Sequence, residues 1–152
     1  MEFYRAGRYA EAIAAYEEAL AARPDYAACW VNLTLAFLKR NRPDDAVRAA
    51  ERAVSLVPQA GPAHFHLAGA LSVKGRWNEA VTEYVRASSL DRVQFLGLLL
   101  AGNLCMDHGL TGKAVELWEQ FLNVAPADHA RRAEAQEQIR DAGAGSGLIS
   151  KF

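Results

Sequence analysis

The 152-residue chain is poor in cysteine, has no excess of charge of either sign and contains no long apolar run. Its two cysteines, Cys29 and Cys105, can form at most one bridge. The spacing described below sets them on helices well apart, beyond the ~7 Å a disulfide tolerates, so both are expected as reduced thiols. Seventeen Lys and Arg stand against eighteen Asp and Glu, a formal net charge of −1. No overall field therefore draws the chain to nucleic acid or to an anionic membrane. The longest uncharged stretch, VQFLGLLLAGNLCM from Val93 to Met106, falls short of the roughly 20 residues a membrane-spanning helix needs, and is expected as a helix buried by protein. The opening MEFYRAGRYAEA has no basic region followed by an apolar stretch, so no secretory signal is expected in the chain as given. A cytoplasmic location is consistent with that and with reduced thiols. A Gly-rich phosphate loop, a nucleophile elbow and paired inward carboxylates are all missing, so neither catalytic residues nor a cofactor are expected.

What the chain has instead is a period. Gly7, Asn41, Gly75 and Gly109 are 34 residues apart, as are Ala12, Ala46, Ala80 and Ala114. Ala19, Ala53 and Ala87 keep the same spacing, and so do Pro24, Pro58 and Pro126, with Arg92 where a fourth proline would fall. Gly, or the tolerant Asn41, supplies a left-handed turn that ends one helix and lets the next double back. Alanine lets two antiparallel helices approach closely, while Tyr16, Tyr84 and Trp118 fill the space beside them. Proline stops the second helix, and Asp25, Asp91 and Asp128 are candidate caps or turn formers before the next. The unit predicted is a helical hairpin.

These residues resemble the tetratricopeptide repeat family, whose 34-residue frame runs W-x-x-L-G-x-x-Y, then A, F and P. Residues 27–60 carry Trp30, Leu33, Thr34, Phe37, Ala46, Ala50, Ala53 and Pro58; residues 61–94 carry His64, Leu67, Ala68, Leu71, Ala80, Tyr84 and Ala87. Residues 95–128 carry Leu98, Ala101, Gly102, Cys105, Ala114, Trp118, Phe121 and Pro126. His64 departs from the aromatic, Arg92 from the proline and Phe121 from the last alanine. The resemblance implies an all-α, right-handed superhelical solenoid of antiparallel hairpins, a tetratricopeptide domain over 1–141. It comprises a partial repeat 1–26, three full repeats and a polar capping helix over 128–141. Residues 142–152 read as a flexible Gly-rich linker and an apolar tail. In this frame Phe3 stands where Phe37 stands, so about eight residues of an opening helix are missing from the first repeat.

The resemblance also implies that the first helix of each repeat lines a concave side. Beside the inward Trp30, Leu33, Thr34 and Phe37, the first such helix offers Val31, Asn32, Leu35, Leu38 and Lys39. The next offers Phe65, His66 and Val73, and the last Leu96, Leu99, Leu100, Asn103 and Met106. The second helices instead show Glu17, Glu18, Asp44, Arg48, Glu51, Arg52, Glu83, Arg86 and Glu116, sorting charge to the convex side. An apolar strip of this kind marks a contact surface. The expected function is a non-catalytic protein-interaction module that binds an apolar peptide or amphipathic helix, with Asn32, His66 and Asn103 as polar handles. Packing of repeat on repeat is the competing explanation. Other possibilities are an accessory or targeting domain of a larger enzyme or assembly, and a scaffold that self-associates through its incomplete N-terminal end or its tail, Leu148, Ile149 and Phe152.

Other signals are weaker. The family's carboxylate clamp is not carried over, because Asn32 fits but Pro62 and His66 stand at its basic positions; no acidic C-terminus is expected in the groove. His64 and His66 face differently, and Cys105 with His108 lacks a second ligand pair, so no metal is expected. Lys39, Arg40 and Arg42 read as a solvated turn, and Asn32-Leu33-Thr34 as a glycosylation triplet hidden in a helix.

Overall fold

One turn motif, made four times, sets the path of the chain. Gly7, Gly75 and Gly109 have φ of 74°, 81° and 75°, and Asn41 has φ of 55°. At each, the following N–H reaches back five residues: Arg8 to the Phe3 carbonyl at 2.9 Å, Arg42 to Phe37 at 2.9 Å, Arg76 to Leu71 at 2.9 Å and Leu110 to Cys105 at 2.8 Å. This is the left-handed helix stop that satisfies otherwise orphaned carbonyls, and it reverses the chain into the next helix.

The computed structural model describes residues 2–149, with side chains described for residues 3–144. Among the described residues the helices are α1 (Glu2–Arg5), α2 (Tyr9–Ala22), α3 (Ala27–Lys39), α4 (Pro43–Leu56), α5 (Gly61–Val73), α6 (Trp77–Leu90), α7 (Leu96–Asp107), α8 (Thr111–Val124) and α9 (Arg132–Ile149). A 3-10 turn, Arg92–Gln94, lies where the third proline is absent; the Asp91 carboxylate caps it by accepting from the Val93 N–H at 3.0 Å. Each helix packs mainly on its neighbours in sequence, and α3 also touches α5. That is the quasi-one-dimensional arrangement of a solenoid, whose core is shared between successive hairpins. Two clusters make up this core. One joins α2 to α5 through Tyr16, Leu20, Leu33 and Phe37; the other joins α5 to α9 through Tyr84, Leu98, Trp118 and Phe121.

Close packing depends on the small residues. A Cβ on Gly102 would overlap the Trp118 indole, so the largest side chain of α8 sits where α7 has none. The indole N–H donates to Asn103 Oδ1 at 2.9 Å, which satisfies it in a nearly fully buried place. The periodic alanines behave as expected at Ala53 and Ala87, both at 0% exposure, but Ala19 is exposed. The four-residue α1 has no turn to lay over it.

Two boundaries differ from expectation. Helix α9 starts at Arg132 rather than 128, after the turns of residues 127–131, and it runs on through 142–149, where a linker was expected. Extending a helix already anchored by packing costs far less than nucleating one, which offsets the poor propensity of its glycines. Ala135 and Ile139 supply the anchor. The tail proposed for self-association falls largely outside: Phe152, and the side chains of Leu148 and Ile149, lie beyond the described residues. Cys29 and Cys105 are free thiols in separate clusters, and burial pushes both above the usual thiol range.

Candidate partner-binding surfaces

The first helices α3, α5 and α7 carry the thirteen side chains that the sequence points to. Val31, Asn32, Leu35 and Leu38 are partly exposed on α3, and Lys39 at its end is exposed. On α5, Phe65 and His66 are partly exposed and Val73 is 59% exposed. On α7, Leu96, Leu100, Asn103 and Met106 are partly exposed. Leu99 is the exception. At 0% exposure it belongs to the core, while its neighbour Leu100 is partly exposed.

Two of the three polar handles differ in what they have left to offer. Asn103 Oδ1 accepts from the Trp118 indole, and Asn103 is near enough to Glu134 to add to the lowering of that carboxylate, behind the larger effect of Arg131. It is therefore committed within the chain and is not a free handle. His66 packs edge-on to Phe65 at 5.8 Å, and burial lowers its pKa, so it offers a neutral imidazole at physiological pH. Phe65 in turn meets Tyr84 edge-on at 5.3 Å, and burial pushes the Tyr84 phenol up to about 12. Phe65 thus serves the repeat-to-repeat packing as well as the wall.

His64 is not a ligand but a core residue, 1% exposed. Its Nε2 donates to the Pro58 carbonyl at 3.0 Å, and its Nδ1 pairs with Glu83 Oε2 at 2.5 Å. Among the described residues no group of three or more His, Cys, Asp or Glu side chains is placed to hold a metal ion. No described helix is long and apolar enough to cross a membrane.

The convex side holds a feature that reading the groove missed. Between α2 and α4, floored by α3, lies a cleft of about 710 Å³. Leu20, Trp30 and Leu33 make its apolar floor, and Arg42, Arg48 and Arg52 with Glu17 and Asp45 make its rim. The signal was present in the period: Arg8, Arg42 and Arg76 follow the turn residues at the same 34-residue spacing, and each pairs with an acid three residues on, Glu11, Asp45 and Glu79. The guanidiniums of Arg8 and Arg42 also lie over Phe3 and Phe37, at 5.0 and 4.6 Å.

Comparison with known proteins agrees with this geometry. Superkiller complex protein 3 of Mus musculus is 30% identical over 125 residues; the match takes in 78% of this chain but only 8% of that relative's length. MamA has the same fold, with a TM-score of 0.84 at 23% identity over 99% of this chain and 80% of MamA. YrrB, described as a tetratricopeptide repeat protein with an unusual peptide-binding site, superposes with a TM-score of 0.77 at 23% identity, covering 89% of this chain and 69% of YrrB. Tetratricopeptide repeat models match residues 3–53 and 31–91, which together span more than half of the chain. With four turns in a 34-residue frame, hairpins stacked through small residues and these matches, the chain belongs to the tetratricopeptide repeat family.

Proposed function

We propose that the chain is a non-catalytic protein-interaction module that receives an apolar peptide or an amphipathic helix of a partner along the wall formed by α3, α5 and α7. The observation that carries this is the contrast between faces. Val31, Leu35, Leu38, Leu96, Leu100 and Met106 remain partly exposed on the first helices, whereas the outer positions of the second helices are charged. Leu38, Leu96, Leu100 and Met106 pack against the core on one side and stay partly exposed on the other. Asn32 and the neutral His66 are the polar groups left to fix the partner's register. The peptide-binding site described for YrrB, on the same fold, supports the same class of function.

The test is to select peptides from a random displayed library on the wild-type protein and measure their affinity by fluorescence anisotropy. Selected sequences should carry apolar residues at helical or alternating spacing. The double substitution Leu35→Ala, Leu100→Ala should weaken them at least tenfold with only a small change in Tm, since each buried anchor is worth about 1.5–3 kcal/mol. Unchanged affinity together with a lowered Tm would show that these leucines only hold the repeats together.

A further inference from the structure

The convex cleft between α2 and α4 is separate from the groove, and its chemistry differs. We propose that it is a second binding site, which takes a short internal segment of a protein partner where a large apolar side chain stands next to Asp or Glu.

The period supplies an internal control. Thirty-four residues on, the equivalent space between α4 and α6 is bounded by Glu51, Leu67, Leu71, Arg76, Glu79 and Glu83, and measures about 450 Å³ against about 710 Å³. Two substitutions across the period bear on the difference. Where the second space has Glu83, the first has Ala49; where the first has Trp30 in its lining, His64 stands one period on, outside the lining of the second. Glu83 reaches over and places its carboxylate on His64, so that space is filled from within. Ala49 has nothing to reach with. The chain thus leaves open in one repeat the place that it fills with its own carboxylate in the next.

Charge favours the same occupant. The first cleft sets three arginines against two carboxylates, and the second sets one arginine against three. Arg42 and Arg48 share the single Asp45 carboxylate, and Arg52 has no ion-pair partner among the described residues. One cationic charge is left uncompensated beside an apolar floor. The Trp30 N–H is already spent on the Pro24 carbonyl at 2.9 Å, so Trp30 offers the cleft carbon surface rather than a donor. A carboxylate on Arg48 and Arg52, with its apolar neighbour on Trp30 and Leu33, satisfies both halves of the site.

The experiment is a ¹⁵N NMR titration of the full chain with a set of short peptides, acetylated and amidated at their ends, that place Phe, Trp, Leu or Ile beside Asp or Glu. The controls are the same peptides with Asn and Gln for Asp and Glu, and inorganic phosphate alone. Saturable shifts are expected at the Trp30 indole N–H, Ala49 and Arg52. They should weaken at least tenfold with the neutral peptides and with Arg48→Glu, Arg52→Glu, two exposed positions that leave the fold intact. Ala49→Glu, which copies the next repeat, should close the site. The proposal is overturned if those signals do not move, if neutral peptides or phosphate move them equally, or if the arginine double variant binds as wild type does. Shifts confined to Leu35, Phe65 and Leu100 would place the peptide in the groove instead. The groove proposal is judged independently by its own leucine variants.

Discussion

Trp30 and His64 stand one period apart and make the same bond: each ring N–H donates to the carbonyl of the proline that ends the preceding hairpin, Trp30 to Pro24 at 2.9 Å and His64 to Pro58 at 3.0 Å. An imidazole therefore replaces an indole without loss of the tie between hairpins. Its second nitrogen needs a further partner, and Glu83 provides one. One more period on, Leu98 makes no such bond. At the next step Arg132 restores the contact by donating to the carbonyls of Leu122 and Ala125, at 2.6 and 2.8 Å, which docks α9 on the end of α8.

This pairing makes His64 and Glu83 a unit. His64→Trp alone leaves Glu83, itself only 19% exposed, without its partner, and should cost about 3 kcal/mol. His64→Trp with Glu83→Ala copies the Trp30 and Ala49 pair of the preceding repeat and should recover at least half of that loss. Urea denaturation of the two single variants and the double gives the coupling directly. Additive effects would show the two side chains to be independent.

Gly102 is one of three helical glycines, with Gly61 and Gly97, where an added Cβ would come within 3 Å of a neighbour. Gly102→Ala forces its methyl into the Trp118 indole and is expected to destabilise by about 1–3 kcal/mol. The companion change Trp118→Tyr should tolerate that alanine better, because the repeat before combines Ala68 with Tyr84 at the same two positions. Thermal denaturation of the pair and the singles checks this.

Among the described residues, Asn41 is the one turn residue with a side chain in the left-handed region. Asn41→Ala should cost about 1–2 kcal/mol, since alanine gains nothing locally to offset the steric strain. Asn41→Gly should hold or raise stability, matching the other three turns. The ranking Gly, Asn, Ala in midpoint of unfolding is the outcome to measure.

His66 predicts a pH effect. Burial lowers its folded pKa below the ordinary value of 6.5, so below that value the unfolded chain binds the proton more readily. Stability should fall as pH drops through 6.5 toward the lowered folded value, and be unaffected by this group above it. His66→Gln should lose less Tm than wild type between pH 7.5 and 5.5. An equal loss in both would place the pH dependence on other groups.

The repeat, the turns and the hairpins were legible in the residues because each rests on local chemistry: a left-handed position wants Gly or Asn, a helix stop wants Pro, and close helices want Ala. Seven of the proposed groove residues, Val31, Asn32, Leu35, Leu38, Phe65, His66 and Met106, were put on the first helices by the family resemblance together with helical periodicity, and all are partly exposed there. Periodicity did not tell Leu99 from Leu100, for that depends on how far α7 is rotated against α8, which the fit of Trp118 against Gly102 sets. Nor did it show that Asn103 is spent, since Trp118 and Glu134 approach it from other helices.

The amino-acid order was sufficient for the family and the path of the chain, because a 34-residue period writes the same local instructions several times over. The convex cleft was not legible that way. It exists because Ala49 leaves a space that Glu83 fills one repeat later, and whether a short side chain leaves a void or a neighbour closes it is settled only when three helices pack around it.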